Sequence, residues 1–86
     1  MSNPDPSAVE LTLRKHAEQA LEKYLAQLEG HPPVDLHALV MREVEEPLLR
    51  VVLRHVDGNQ SRAALILGIN RSTLRRKLRE FAISTE

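Results

Sequence analysis

The residues best able to do chemistry lie between Gln60 and Arg79. This stretch contains no acidic residue and six basic ones, namely Arg62, Arg71, Arg75, Arg76, Lys77 and Arg79. Five of the six are Arg, whose planar guanidinium can donate two parallel hydrogen bonds to the O6 and N7 atoms of guanine, whereas the Lys ammonium only places a charge. The chemistry predicted for this segment is the binding of phosphates and base edges.

The net charge of the whole chain does not reveal this basic segment. Formal net charge is zero, which by itself argues against a nucleic-acid partner. However, residues 1–56 carry six basic and nine acidic residues, and residues 57–86 carry six basic and three acidic ones, giving −3 and +3. A local basic patch is the relevant electrostatic feature, so the neutral total does not exclude DNA.

Two short helices must position these side chains. The sequence predicts a helix over 60–67 with Asn59 as its N-cap, a turn at 68–70, and a last helix over 71–81 capped by Asn70. Two helices that meet at a steep angle need a small residue where they approach, a glycine in the turn and an apolar residue facing back. Ala64, Gly68 and Leu74 have this spacing. The pattern predicts a helix-turn-helix.

The last helix has two distinct faces when residues are placed at about 100° intervals. Leu74, Leu78 and Phe81 share the face that must point inward, and Lys77 lies beside them, so packing or solvation is as reasonable for it as DNA contact. The opposite face carries Ser72, Arg75, Arg76 and Arg79. Arg71 and Thr73 lie at the N-terminal end, which in such motifs reaches base edges. The plainer interpretation of the basic face is a solvated surface.

The first helix of the pair begins with four polar residues, Asn59, Gln60, Ser61 and Arg62. Free backbone N–H groups and the helix dipole favour a phosphate there, and short polar side chains add hydrogen bonds. Such contacts position a protein on DNA without reading its sequence. Asn59 and Asn70, taken singly, are caps as readily as DNA ligands.

Two longer helices are predicted upstream. Residues 1–8, rich in Pro, Ser, Asn and Asp, predict a flexible tail. Apolar residues at helical spacing predict a helix over about 9–28 that stops at Gly30, and a second from the N-cap Asp35 to Val56, which Pro47 should kink or break. The second helix has such a wide apolar stripe that it needs more than one partner surface.

A short chain with few aromatic residues and no Cys commonly gains its missing core by self-association. Segment 9–56 is therefore predicted to form the dimerisation helices, segment 57–86 the DNA-binding region, and the whole one compact all-α domain.

Other functional classes find little support in the sequence. The four His residues lack metal-ligand spacing and there is no Cys to join them, so we expect no metal and no cofactor. Glu43, Glu45 and Glu46 are interpreted as a solvated helix face, and no feature supports catalysis, so we expect no enzyme. No apolar run approaches the roughly 18 residues of a membrane span, and no signal peptide is recognisable.

The segments GNQSRAALILGINRSTLRRKL, ALEKYLAQLEG and EVEEPLLRVVLRHVDGNQ closely resemble bacterial Fis proteins over about 13–81. The resemblance implies a cytoplasmic, nucleoid-associated transcription regulator, a homodimer in which the two long helices of each subunit intertwine. The resemblance also implies that the two recognition helices are closer together than one turn of B-DNA. They could then enter adjacent major grooves only if the DNA is bent. A role as a recombination enhancer-binding factor is also implied. The resemblance leaves open whether RNA polymerase or a recombinase is a partner.

Site residues carried over from this family divide into two groups. Arg71 is the expected main guanine reader, with Asn70 and Arg76 also near base edges. The expected backbone contacts are Asn59, Gln60, Ser61, Arg62, Thr73, Arg75 and Arg79. Two departures stand out: Ser72 replaces a usual Gly, and Asp57 stands where Arg or Lys is usual, which predicts weaker contacts with flanking DNA. The short, Pro-containing tail disfavours the paired strands that activate invertases in the best-known member.

Two alternatives remain open at the level of sequence. The same helix-turn-helix ends the activators of the alternative nitrogen sigma factor, although Met1, the short chain and the upstream match argue against a detached module. The basic helix could instead belong to a helical interaction protein that docks on an acidic partner.

Overall fold

The computed structural model describes residues 6–84, and over this range it contains helices and no strands. The four helices are α1 (Pro6–Gln27), α2 (Leu36–His55), α3 (Gln60–Leu67) and α4 (Arg71–Glu80). The predicted all-α architecture, with two long helices followed by two short ones, is confirmed. None of these helices is both long enough and apolar enough to cross a membrane.

The chain divides into two compact units, Met1–Val34 and Asp35–Glu86. The first contains α1, which begins at Pro6 rather than at the predicted Val9. Pro is favoured at the first helical position because its missing N–H would be unpaired there anyway. The rest of the predicted tail, residues 1–5, lies outside the described residues. After Gln27 the chain turns through Glu29 and Gly30, both with positive φ, so the expected stop at Gly30 is confirmed.

The second unit is built around a small apolar core. Its buried residues come from α2 and its C-cap, from α3, and from α4 and the segment after it, and they are Leu49, Leu53, Val56, Ala63, Ala64, Leu74, Leu78 and Ile83. Val52, Leu67, Ile69 and Phe81 pack against this cluster and are partly buried. The predicted inward face of α4 is confirmed, since Leu74 and Leu78 are buried and Phe81 packs beside them.

One expectation about α2 needs correction, and a second is narrowed. Asp35 stands at the N-cap position, but its backbone is left-handed (φ 51°) and its side chain makes no capping hydrogen bond. An N-cap side chain normally reaches the N–H groups from an extended backbone, which this conformation does not provide. At Pro47, where the sequence predicts a kink or a break, the helix continues without a break. Pro47 removes one backbone donor, and the turns on either side hold the helix together.

The C-terminal ends of α2, α3 and α4 have the same backbone arrangement. At each end a left-handed residue (Asp57, Gly68 or Ala82) lets the N–H of the next residue reach the carbonyl five residues earlier in the chain. These bonds are Gly58 N to Leu53 O (2.8 Å), Ile69 N to Ala64 O (3.1 Å) and Ile83 N to Leu78 O (2.9 Å). Ile69 and Ile83 then contact the core. The chain is thereby directed from each helix into the next element.

Candidate nucleic-acid interface

The turn between α3 and α4 is fixed by caps on both sides. Asn59 Oδ1 accepts a hydrogen bond from Arg62 N at 3.1 Å, and Asn70 Oδ1 accepts from Ser72 N at 2.9 Å. Asn70 Oδ1 also accepts from Ser72 Oγ at 2.9 Å. Both asparagines are therefore confirmed as caps. Because Ser72 itself takes part, a side chain at this position is accommodated without loss of the cap.

The three spacing residues behave as the helix-turn-helix pattern predicts. Ala64 and Leu74 are buried, and Gly68 ends α3 in the left-handed conformation with φ of 72°. A Cβ added at Gly68 would meet nothing within 4 Å. Glycine is favoured there because of its backbone conformation and not because another chain segment approaches it closely. Ala63, which the spacing pattern does not include, is fully buried beside Ala64.

Three arginines of α4 lie one turn apart on its exposed side: Arg71, Arg75 and Arg79, hereafter the basic stripe. Arg71 Nη1 donates to Ser61 Oγ at 3.1 Å, and Arg75 Nε donates to Gln60 Oε1 at 3.4 Å. The start of α3 and the exposed side of α4 thus form one continuous polar surface. A guanidinium has five N–H donors. Arg71 and Arg75 each use one of them in the bond to α3, which fixes the orientation of the side chain, and keep the others for a ligand.

The other predicted site residues are distributed around this surface. Asn59, Ser61, Arg62 and Asn70 are exposed, whereas Gln60 and Thr73 are half-buried. Arg76 is not bonded to α3. Its Nε lies 3.8 Å from Glu80 Oε1, and both side chains are more than half exposed. The structure therefore brings Arg71 and Arg75 together with the start of α3, and leaves Arg76 on the flank of α4.

Lys77 is the one cation of the segment that faces the protein. Its Nζ lies 2.8 Å from Glu45 Oε2 of α2, and the two side chains are only 24% and 34% exposed. Of the roles considered for Lys77, packing is the one observed. The interpretation of Glu45 as part of a solvated face is wrong, because it forms this partly buried ion pair. Glu46 pairs with Arg50 on the surface of α2 at 3.0 Å. No group of His, Asp or Glu residues in the described part of the chain could hold a metal ion.

The fold and the polar surface define a class: α3, the glycine turn and α4 form a helix-turn-helix. Comparison with known proteins gives the family. Residues 40–81 match the family described as bacterial regulatory protein, Fis family, and residues 1–33 match the DNA-binding protein Fis N-terminal domain. The chain belongs to the Fis family.

Several similar proteins carry the name DNA-binding protein Fis. The one from Glaesserella parasuis is 45% identical over 83 residues, covering 96% of this chain and 85% of the relative. The one from Actinobacillus succinogenes is 51% identical over 72 residues, covering 84% and 73%. The one from Yersinia enterocolitica is 46% identical over 82 residues, covering 95% and 84%. The similarity therefore extends through both matched regions.

Proposed function

We propose that this protein is a homodimeric DNA-binding and DNA-bending regulator of transcription that reads the major groove with α4. The observation that carries the proposal is the continuous surface formed by the basic stripe and the start of α3. Helix-turn-helix proteins contact base edges with the N-terminal residues of the second helix and the phosphate backbone with the first. Here Arg71 occupies the first position of α4 and is held at 3.1 Å by Ser61 at the start of α3.

Within this proposal the side chains have different tasks. Arg71 binds guanine O6 and N7, and Asn70 and Arg76 approach neighbouring base edges. The remaining site residues bind phosphates and set the register of the protein on the duplex: Asn59, Gln60, Ser61, Arg62, Thr73, Arg75 and Arg79. The ion pair of Arg76 with Glu80 must open before Arg76 can reach DNA, which is inexpensive because both groups are largely solvated.

The homodimer is supported by an apolar face of α2 that the second unit leaves uncovered. Met41, Val44, Leu48 and Val51 recur at spacings of three and four, and each is about half exposed, at 48–55%. Contiguous exposed apolar patches on such small chains mark protein–protein contacts. A second copy of the chain is the occupant implied by family membership, because the family resemblance places α2 in an intertwined dimer.

A dimer with closely spaced recognition helices would bend its DNA, since both helices could otherwise not enter adjacent grooves. Bending fits a nucleoid-associated regulator in the cytoplasm and a recombination enhancer-binding role. RNA polymerase or a recombinase would then be the protein partner to test. The opposite outcome, a protein that docks on an acidic partner through its basic stripe, would require no duplex affinity.

The salt dependence of duplex binding tests the proposal. Each phosphate neutralised contributes about −0.9 to the slope of log affinity against log salt concentration. A dimer that touches several phosphates per subunit should give a slope steeper than about −5. Fluorescence anisotropy between low and moderate salt measures this slope, and circularly permuted probes measure the bend. Undetectable duplex binding at low salt would refute the proposal.

A further inference from the structure

A second group of arginines lies on α2, outside the predicted interface. Arg50 and Arg54, hereafter the lateral pair, are one helical turn apart, and both are exposed. They line a groove together with Ile83 and Ser84, the residues just beyond α4. The Arg54 side chain makes no hydrogen bond or ion pair with another described side chain, whereas Arg50 Nη2 donates to Glu46 Oε1 at 3.0 Å.

The same two residues connect the lateral pair with the basic stripe. Ile83 and Ser84 also line a second groove, whose walls include Arg75 and Arg79. Ile83 is buried, and its N–H is bonded to Leu78 O at 2.9 Å, so this segment is fixed against the core. Four guanidinium groups therefore surround one fixed segment, two from α2 and two from α4. No acidic residue lines either groove within the described part of the chain.

The lateral pair and the uncovered apolar residues of α2 lie on different faces of the helix. At about 100° per residue, the lateral pair lies roughly 100° from the core-facing residues Leu49 and Leu53. The uncovered apolar face, represented by Leu48 and Val51, is centred roughly 110° from the lateral pair, away from the core. The helix thus has three faces, one for the core, one for a partner subunit and one that carries the lateral pair.

We propose that the lateral pair binds backbone phosphates of the duplex segments that flank the site read by α4. The proposal rests on the proposed function and extends its DNA surface from α4, past the Ile83–Ser84 segment, onto α2. Arg50 and Arg54 are about 6 Å apart along the helix axis, enough to reach two phosphates of one strand, which are spaced at about 3.4 Å along the duplex axis.

The two arginines contribute unequally. Arg54 contributes more, because no side chain within residues 6–84 pairs with its guanidinium. Arg50 can bind a phosphate only after its ion pair with Glu46 is broken. Arg54 is followed three positions later by the acidic residue Asp57. Glu46→Gln should therefore release Arg50 and strengthen binding to flanked DNA.

Two duplexes separate flanking contacts from the central site. One is just long enough for both recognition helices, and the other is the same duplex extended by one helical turn at each end. The double variant Arg50→Gln/Arg54→Gln should lower the salt slope on the extended duplex by up to about 1.8 per subunit, at about 0.9 for each phosphate lost. On the short duplex, the salt slope of the double variant should equal that of the unmodified protein.

Two further variants serve as controls. Arg50→Lys/Arg54→Lys keeps both charges and should restore the slope on the extended duplex. Arg42→Gln removes one charge from the same helix, in a groove shared with Glu45 and Glu80, and should leave both slopes unchanged. Circular dichroism melting checks that every variant folds, which the exposure of these side chains favours.

The outcomes distinguish this inference from the proposed function. If the unmodified protein binds both duplexes steeply and the double Gln variant does the same, the lateral pair does not bind flanking DNA. An equal loss of slope on both duplexes also overturns the inference, because the arginines would then act at the central site. If the unmodified protein fails to bind either duplex, the proposed function itself is wrong.

Discussion

The ion pair between Lys77 and Glu45 should stabilise the fold while contributing almost nothing to DNA binding. Its two atoms are 2.8 Å apart, and the side chains are 24% and 34% exposed. Exposed ion pairs contribute about 0.2–1 kcal/mol, and this one is mostly buried and joins two helices, so we expect a coupling energy of about 1 kcal/mol. Lys77→Met alone should cost about 1–2 kcal/mol, because Glu45 is then left without its partner.

A double-mutant cycle measures this coupling. Lys77→Met, Glu45→Gln and the double variant are unfolded in urea at one fixed protein concentration, because the stability of a dimer depends on concentration. The neighbouring pair Arg76–Glu80 is the matched control. Its atoms are 3.8 Å apart and its side chains are 61% and 57% exposed, so its coupling should be below about 0.3 kcal/mol.

DNA binding supplies the second measurement on the same variants. Lys77→Met should leave the salt slope within error of the unmodified value, whereas Arg79→Gln should reduce it by about 0.9 per subunit. The reasoning is refuted if Lys77→Met lowers the slope as much as Arg79→Gln does. It is also refuted if the coupling of Lys77 with Glu45 is no larger than that of the control pair.

Three further substitutions test the fold, each by urea unfolding at fixed protein concentration. Gly68→Ala should destabilise the protein by about 1 kcal/mol although the added methyl meets no atom, because φ is 72° there, and an unchanged midpoint would contradict this. Ala82→Gly should stabilise it by up to about 1 kcal/mol, since Ala82 adopts φ of 53°, whereas a loss of stability would show that this backbone is not strained. Leu74→Ala should cost about 2–5 kcal/mol, because Leu74 is fully buried in the core, and a cost under 1 kcal/mol would place it outside that core.

The helices and the turn between α3 and α4 could be predicted from the sequence because their signals are local. Asn59, Gly68 and Asn70 act on residues within one turn of themselves, and the bounds of α3 agree with the prediction. The inward face of α4 follows from periodicity alone. Asp35 shows the limit of such signals, since its residue type suits an N-cap but its left-handed backbone prevents the capping bond.

The partners of the charged side chains could not be predicted. Glu45 and Lys77 are separated by more than thirty residues, and their pairing depends on how α2 and α4 pack. Arg71 and Arg76 look alike in the sequence, yet one bonds to Ser61 and the other pairs with Glu80. The groove between the lateral pair and Ile83 likewise exists only in the folded chain. Contacts between residues that are distant in the sequence leave no periodic pattern in it, so they cannot be predicted from the sequence alone.

The sequence preference of an Arg71→Ala variant tests the central claim most directly. Affinities for a preferred duplex and for one with its guanines replaced are measured at a single salt concentration, with Arg14→Ala as the charge-matched control on α1. A bidentate arginine–guanine contact contributes about 1–3 kcal/mol of discrimination, so the preference should fall by a factor of about 5 to 150 in Arg71→Ala and stay unchanged in the control. If Arg71→Ala keeps the full preference, α4 does not read DNA through Arg71.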